Sequence, residues 1–122
     1  MNSIDGLLIY KQMMGLLYYT EMIVKKYPKS EKLSLVSQIK NVSYNTMRLI
    51  IKAYKESDKT NRYHLFNEID AELKMIKVLS RISYSQRFIN VRNYEAWARK
   101  ITDVTNLLYG WMKNGKNCSQ PI

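Results

Sequence analysis

The sequence predicts an all-α protein folded as an antiparallel up-down four-helix bundle, on three observations. Apolar residues recur at three- and four-residue spacing through four long segments. The connections between these segments are short, the sharpest being Tyr27-Pro28-Lys29-Ser30-Glu31, and short connections make consecutive helices antiparallel neighbours. No segment shows the apolar-polar alternation of a strand, and no internal repeat or low-complexity stretch interrupts the pattern. A chain of 122 residues, 46% of them hydrophobic, builds one core, so a single bundle domain is expected over 1–113, followed by a loose tail over 114–122.

The first helix is expected over about 5–27, with Leu7, Leu8, Met14, Leu17, Tyr18 and Val24 inward. Pro28 ends it, because proline pushes the preceding residue out of the helical region. Ser30 is then placed to cap a second helix, with Glu31 favourably sited in its first turn. Val36, Ile39, Ser43, Thr46, Ile50 and Ala53 form the inner stripe of that helix, and the polar run over 56–61 stops it. A third helix follows over about 62–85, carried by Leu65, Ile69, Glu72/Leu73, Ile76, Leu79 and Ser83. After Arg87-Phe88-Ile89-Asn90 the fourth runs over about 91–113, with Tyr94, Trp97, Ile101, Val104, Leu108 and Trp111 on one side. Gly15 and Gly110 cost about 1 kcal/mol each relative to alanine in a helix interior, so both are expected to have a packing reason.

Chemistry for catalysis is sparse. His64 is the only histidine and stands between Tyr63 and Leu65 without a metal-ligand partner pattern. Glu68 and Glu72 fall one helical turn apart with Asp70 on another face, an arrangement suited to pairing with lysine and arginine rather than to acid-base work. There is no Gly-x-Gly-x-x-Gly and no Gly-Lys-Ser/Thr to cradle a phosphate. Cys118, the single cysteine, can form neither an internal disulfide nor a cysteine metal cluster. The expectation is therefore no enzyme, no metal and no cofactor. No apolar run reaches the roughly 18–20 residues that span a bilayer, and the Met-Asn-Ser-Ile-Asp start lacks a basic leader, which points to the cytoplasm and to no membrane partner.

Twenty Lys and Arg against ten Asp and Glu give a formal charge of +10, which predicts acidic partners, nucleic acid first. The cations are arranged. At about 100° per residue, Arg48, Lys52 and Lys55 share a sector of the second helix opposite its apolar stripe, and Lys74, Lys77 and Arg81 do the same on the third. These six are the candidate nucleic-acid or polymerase contacts; the other reading of them is a solvated face. Lys25, Lys26, Lys29 and Lys32 make a second cluster around the Pro28 turn. Ten tyrosines add a stacking model, with Tyr44, Tyr54, Tyr63 or Tyr84 as platforms for single-stranded bases, against a bland role half in the core.

Several of these residues also carry a resemblance. Tyr27-Pro28-Lys29-Ser30-Glu31-Lys32, Gln38-Ile39-Lys40, Glu72-Leu73-Lys74 with Leu79, and Ile101 through Tyr109-Gly110-Trp111 resemble the accessory variability determinant proteins of diversity-generating retroelements. The resemblance covers about 7–113, and the family's usual Gly-Gly-Trp stands here as Tyr109-Gly110-Trp111. It implies a non-enzymatic four-helix protein that assembles as a barrel-shaped homopentamer. It also implies binding to the element's reverse transcriptase and association with template RNA or complementary DNA during mutagenic retrohoming. A sister group, encoded within ribosomal-RNA intervening sequences, shares the bundle but commonly carries an Ala-Glu-Gly stretch in its second helix. Here that region reads Ile50-Ile51-Lys52-Ala53-Tyr54-Lys55-Glu56, which favours the retroelement group. A third alternative is a structural module in which Leu35, Leu49 and Val78 make subunit contacts and the charge maintains solubility.

Overall fold

A computed structural model describes residues 7–114. Within them lie four helices, α1 (Leu8–Val24), α2 (Leu35–Lys55), α3 (Lys59–Ser85) and α4 (Val91–Asn114), with a short 3-10 turn at Lys29–Glu31 and no strand among the described residues. Each helix packs on two neighbours, α1 on α2 and α4, and α3 on α2 and α4, which closes a square bundle. The run is antiparallel throughout. Arg62 at the start of α3 donates from Nε to the Ala53 carbonyl at the end of α2 (2.9 Å), and Tyr19 near the end of α1 donates to the Asn93 carbonyl at the start of α4 (3.3 Å). The expected start of the first helix before residue 7, Cys118, and the expected tail beyond Asn114 lie outside the described residues; Asn114 itself closes α4.

The inner stripes of α2 and α4 are those their spacing predicts: all six named positions of α2 are buried, as are Trp97, Ile101, Val104, Leu108 and Trp111 of α4, with Tyr94 half-buried. On α3, Ile69, Leu73, Ile76, Leu79 and Ser83 are buried, Leu65 is only half so, and Phe66 takes the place beside it, edge-on to Trp111 at 4.8 Å. The expected stripe of α1 is met in part: Leu7, just before the helix, Leu17 and Val24 are buried and Leu8 and Met14 half-buried. The buried residues of the helix are Ile9, Met13, Leu16, Leu17, Thr20, Ile23 and Val24, while Tyr18 is 68% exposed. Nearly every face of this helix offers apolar side chains, so hydrophobicity alone does not set its rotation. Packing does so through Thr20, whose hydroxyl donates to the Leu16 carbonyl (2.7 Å) and accepts the Trp97 indole N–H (3.1 Å).

The turns correct two further expectations. Ser30 does not cap α2; it sits inside the 3-10 turn, and α2 begins at Leu35 after Ser34, whose hydroxyl donates to Glu31 instead of accepting a helix N–H. The polar run over 56–61 stops α2 at Lys55 as expected, but its second half is already helix, so α3 starts before the expected residue 62. Asp58 accepts the Asn61 N–H (2.9 Å) and starts α3 at Lys59, leaving only three residues of connection. Asn90 caps α4 in the same way through the Asn93 N–H (2.7 Å). Arg87, at φ 64°, ends α3: its N–H reaches the Tyr84 carbonyl and that of Phe88 reaches the Ser83 carbonyl, the paired bonds of a Schellman turn usually given to glycine. Phe88 then packs on the buried Tyr27 at 5.3 Å, tying this turn to the Pro28 turn.

Gly15 and Gly110 lack the packing reason expected of them. Both are exposed, and a methyl added at either meets nothing within 4 Å. Gly15→Ala and Gly110→Ala are each expected to raise the stability of the monomer by up to about 1 kcal/mol, measured by urea unfolding, because alanine removes backbone entropy from the unfolded chain at no steric cost. A loss of stability at either position would mean that the added methyl is not free of contacts in the folded chain.

Candidate nucleic-acid interface

All six candidate cations are exposed, so the sequence places them outward correctly. The structure separates them into two fields. Lys52 and Lys55 line a groove of about 500 Å³ between α2 and α3, opposite Asn61, His64 and Glu68. Arg48 stands one turn before Lys52 on the same helix face. Lys74 points the other way, to α4: its ammonium meets Asp70 Oδ1 at 2.7 Å and Tyr109 Oη at 2.9 Å. Lys77 and Arg81 continue that edge at helical spacing. Between the two fields the outward face of α3 carries Met75, Val78 and Ile82, all exposed and apolar.

Pairing further divides the six. Lys74 forms one of two ion pairs among the described residues, with Asp70; the other joins Lys40 to Glu21 at 3.3 Å. For Asp70, partial burial pushes the carboxyl up, but hydrogen bonds from Lys74 and Tyr109 and the charge of the ammonium outweigh it and hold the group below its ordinary value. The same contacts, Asp70 first and Tyr109 second, raise Lys74. The expectation that these acids pair with cations is thus met at Asp70, whereas Glu72 turns to α2 and accepts from Asn45 Nδ2 at 2.7 Å. Arg48, Lys52, Lys55, Lys77 and Arg81 have no carboxylate within 4 Å among the described residues. These five are the cations left for an outside anion.

The second lysine cluster is exposed around the Pro28 turn, and Lys25 and Lys32 share with Lys40 a groove of about 450 Å³ between α1 and α2. Glu21 sits beside it, held below its ordinary value first by the hydrogen bond that Tyr44 donates and then by Lys40 and Lys25. Tyr44, one expected stacking platform, is therefore engaged with a carboxylate, which raises its hydroxyl. Tyr54 packs against the core, Tyr63 lies exposed and edge-on to His64, and Tyr84 stacks on Tyr94. Of the residues named for subunit contact, Leu49 is buried in its own bundle and Leu35 half-buried, leaving Val78 exposed. Sequence reasoning missed Tyr109, which closes the Lys74 and Asp70 contact from 35 residues away.

Among the described residues no group of three or more His, Cys, Asp or Glu could hold a metal ion, and no helix is long and apolar enough to cross a membrane. A basic four-helix bundle with unpaired cations on two edges is the class of protein that the fold and surface define. A family model described as bAvd-like matches residues 7–115, nearly the whole chain, and the chain belongs to that family. It is thus an accessory protein of the Avd type, the first of the two groups it resembles. A comparison with curated proteins returns no match.

Proposed function

We propose that this protein is a non-enzymatic, cytoplasmic accessory factor of a diversity-generating retroelement. In this reading it binds the element's reverse transcriptase and its template RNA or complementary DNA, and so supports mutagenic retrohoming. The observation that carries the reading is the bAvd-like match over 7–115. The net charge of +10 and the five unpaired cations support the nucleic-acid half of it. An electropositive edge gathers the polyanion while another face docks the polymerase, which raises the concentration of each near the other. Arg48, Lys52, Lys55, Lys74, Lys77 and Arg81 make these contacts, with Lys74 the weakest donor because Asp70 already holds it.

Assembly as a barrel-shaped homopentamer belongs to the same proposal. The exposed Met75, Val78 and Ile82 on α3 favour self-association, and equally support the second reading, a structural module whose charge maintains solubility. The two readings part in one experiment. The tagged protein is co-purified with a reverse transcriptase encoded near its gene, at moderate and at high salt. Retention of the polymerase with template-dependent complementary-DNA synthesis is the expected result. An oligomer that retains no polymerase at either salt, and binds no nucleic acid, would leave the structural module as the account.

A further inference from the structure

Tyr84 lies on α3 at i+7 from Lys77 and i+3 from Arg81, so all three fall on the edge that faces α4. Its ring stacks on Tyr94 of α4, with centroids 4.7 Å apart and planes within 10° of parallel. Tyr84 is still 41% exposed, and no other ring of the described residues stacks on it. Seven residues of α3 separate Lys77 from the tyrosine, roughly 10 Å along the helix.

The opposite wall of this edge is low. Helical spacing on α4 from Tyr94 to Tyr109 passes through Ala98, Thr102 and Thr105, three small side chains. The acids nearest by position are Asp70, already held by Lys74 and Tyr109, and Glu95, exposed on α4 three residues before Ala98 and seven before Thr102 and so on the same face, at the Tyr94 end. What results is an edge with two exposed cations on α3 that have no carboxylate within 4 Å among the described residues, one exposed carboxylate on α4, and at one end a ring pair whose outer member, Tyr84, is accessible.

We infer that the α3–α4 edge is a single-strand site, in which Lys77 and Arg81 grip the phosphate backbone and Tyr84, backed by Tyr94, stacks on an unpaired base. The inference rests on the nucleic-acid half of the proposed function and adds a preference for unpaired strands. Phosphate contacts alone would not distinguish a single strand from a duplex, whereas a duplex keeps its bases stacked on one another and cannot offer one to Tyr84. The Tyr94 ring holds Tyr84 in place before the base arrives, so little side-chain entropy is lost on binding.

The test is fluorescence anisotropy with a labelled single-stranded oligonucleotide, the same strand with abasic sites, and the matching duplex, across a salt series. The wild-type protein is expected to bind the base-bearing strand roughly 5- to 100-fold more tightly than the abasic one. Tyr84→Ala should remove that difference without changing the salt dependence, and Tyr84→Phe should keep it. Lys77→Gln and Arg81→Gln should each flatten the logarithmic salt slope by about 0.7. Equal affinity for the abasic and base-bearing strands would overturn the inference while leaving the phosphate-binding ridges of the proposed function standing. This comparison uses only the wild-type protein, so it holds whether or not a variant folds. Absence of binding to all three probes at low salt would overturn the inference and the nucleic-acid half of the function together. If Tyr84→Ala lowers retention of the polymerase but leaves oligonucleotide affinity unchanged, the edge is a protein contact and the inference fails.

Discussion

Replacing Trp97 by alanine is expected to cost about 3–5 kcal/mol of folding stability. The residue is 0% exposed, and its indole N–H donates to Thr20 Oγ1 at 3.1 Å, joining α4 to α1 across the core. Truncation removes one of the two buried tryptophans among the described residues and leaves a cavity whose walls are helix, which collapse poorly. Against a total of about 5–15 kcal/mol for a domain, this is roughly a fifth or more of the stability, and a fall in melting temperature on the order of 10–20 °C. Trp97→Phe isolates the hydrogen bond from most of the volume. Thr20 keeps its own bond to the Leu16 carbonyl, so a smaller loss, about 1–2 kcal/mol, is expected. Thr20→Val does the reverse and strands the indole N–H. The molecule contains its own comparison here, because Trp111 Nε1 is buried with no partner among the described residues. One such group is tolerated near the end of the bundle, and the Thr20→Val cost is expected at the low end of about 1–3 kcal/mol. Urea unfolding followed by circular dichroism measures all three. A Trp97→Ala protein within about 1 kcal/mol of wild type would place the residue outside the core.

The legibility of the fold varied from helix to helix for one physical reason. In α2 and α4 apolar and polar residues segregate onto opposite faces, so the stripe from Val36 to Ala53 and the one from Trp97 to Trp111 can be read from spacing alone. In α1 the pairs Leu7-Leu8, Met13-Met14, Leu16-Leu17 and Tyr18-Tyr19 place apolar groups on adjacent faces, and several rotations bury similar area. The one chosen buries Thr20 and exposes Tyr18, because Thr20 can satisfy its hydroxyl locally and receive Trp97. That signal lies 77 residues away in α4 and has no local trace. The helix starts at Asp58 and Asn90 were legible in principle, each being a capping residue just before a helical pattern. Ser30 had the same chemistry and failed, since the chain after Pro28 first makes a 3-10 turn. The end of α3 carried no glycine to announce it, and Arg87 takes the left-handed conformation instead.

For the site, spacing within a helix fixes which cations share a face, and both triples hold together in that sense. It does not fix which neighbour that face turns toward. Lys52 and Lys55 meet α3 and Lys74 meets α4 because α2 and α4 flank α3 on opposite sides, a matter of bundle geometry. The expected pairing of these acids with cations is met where Asp70 holds Lys74, but that Tyr109 from another helix completes the contact was not legible. The same geometry puts Met75, Val78 and Ile82 between the two basic edges.

That separation gives the charge-reversal experiment more than one readout. Changing Arg48, Lys52, Lys55, Lys74, Lys77 and Arg81 to glutamate shifts the charge by two at each site, from +10 to about −2 overall, and is expected to abolish nucleic-acid binding. All six side chains are exposed, so helicity and melting should persist. The one local loss is the Asp70 pair at Lys74, worth no more than about 1 kcal/mol at a surface. Reversing each triple alone then assigns the edges. If Lys74, Lys77 and Arg81 grip the polyanion while Arg48, Lys52 and Lys55 dock the polymerase, reversal of the first triple flattens the salt slope and spares polymerase retention, and reversal of the second does the opposite. A shared field would instead lose both functions by about half with either triple. Unchanged affinity and salt slope in the six-fold variant would remove the ridges from the site altogether and leave the Lys25, Lys26, Lys29 and Lys32 cluster to carry the polyanion, since it is the other concentration of exposed lysine on this bundle.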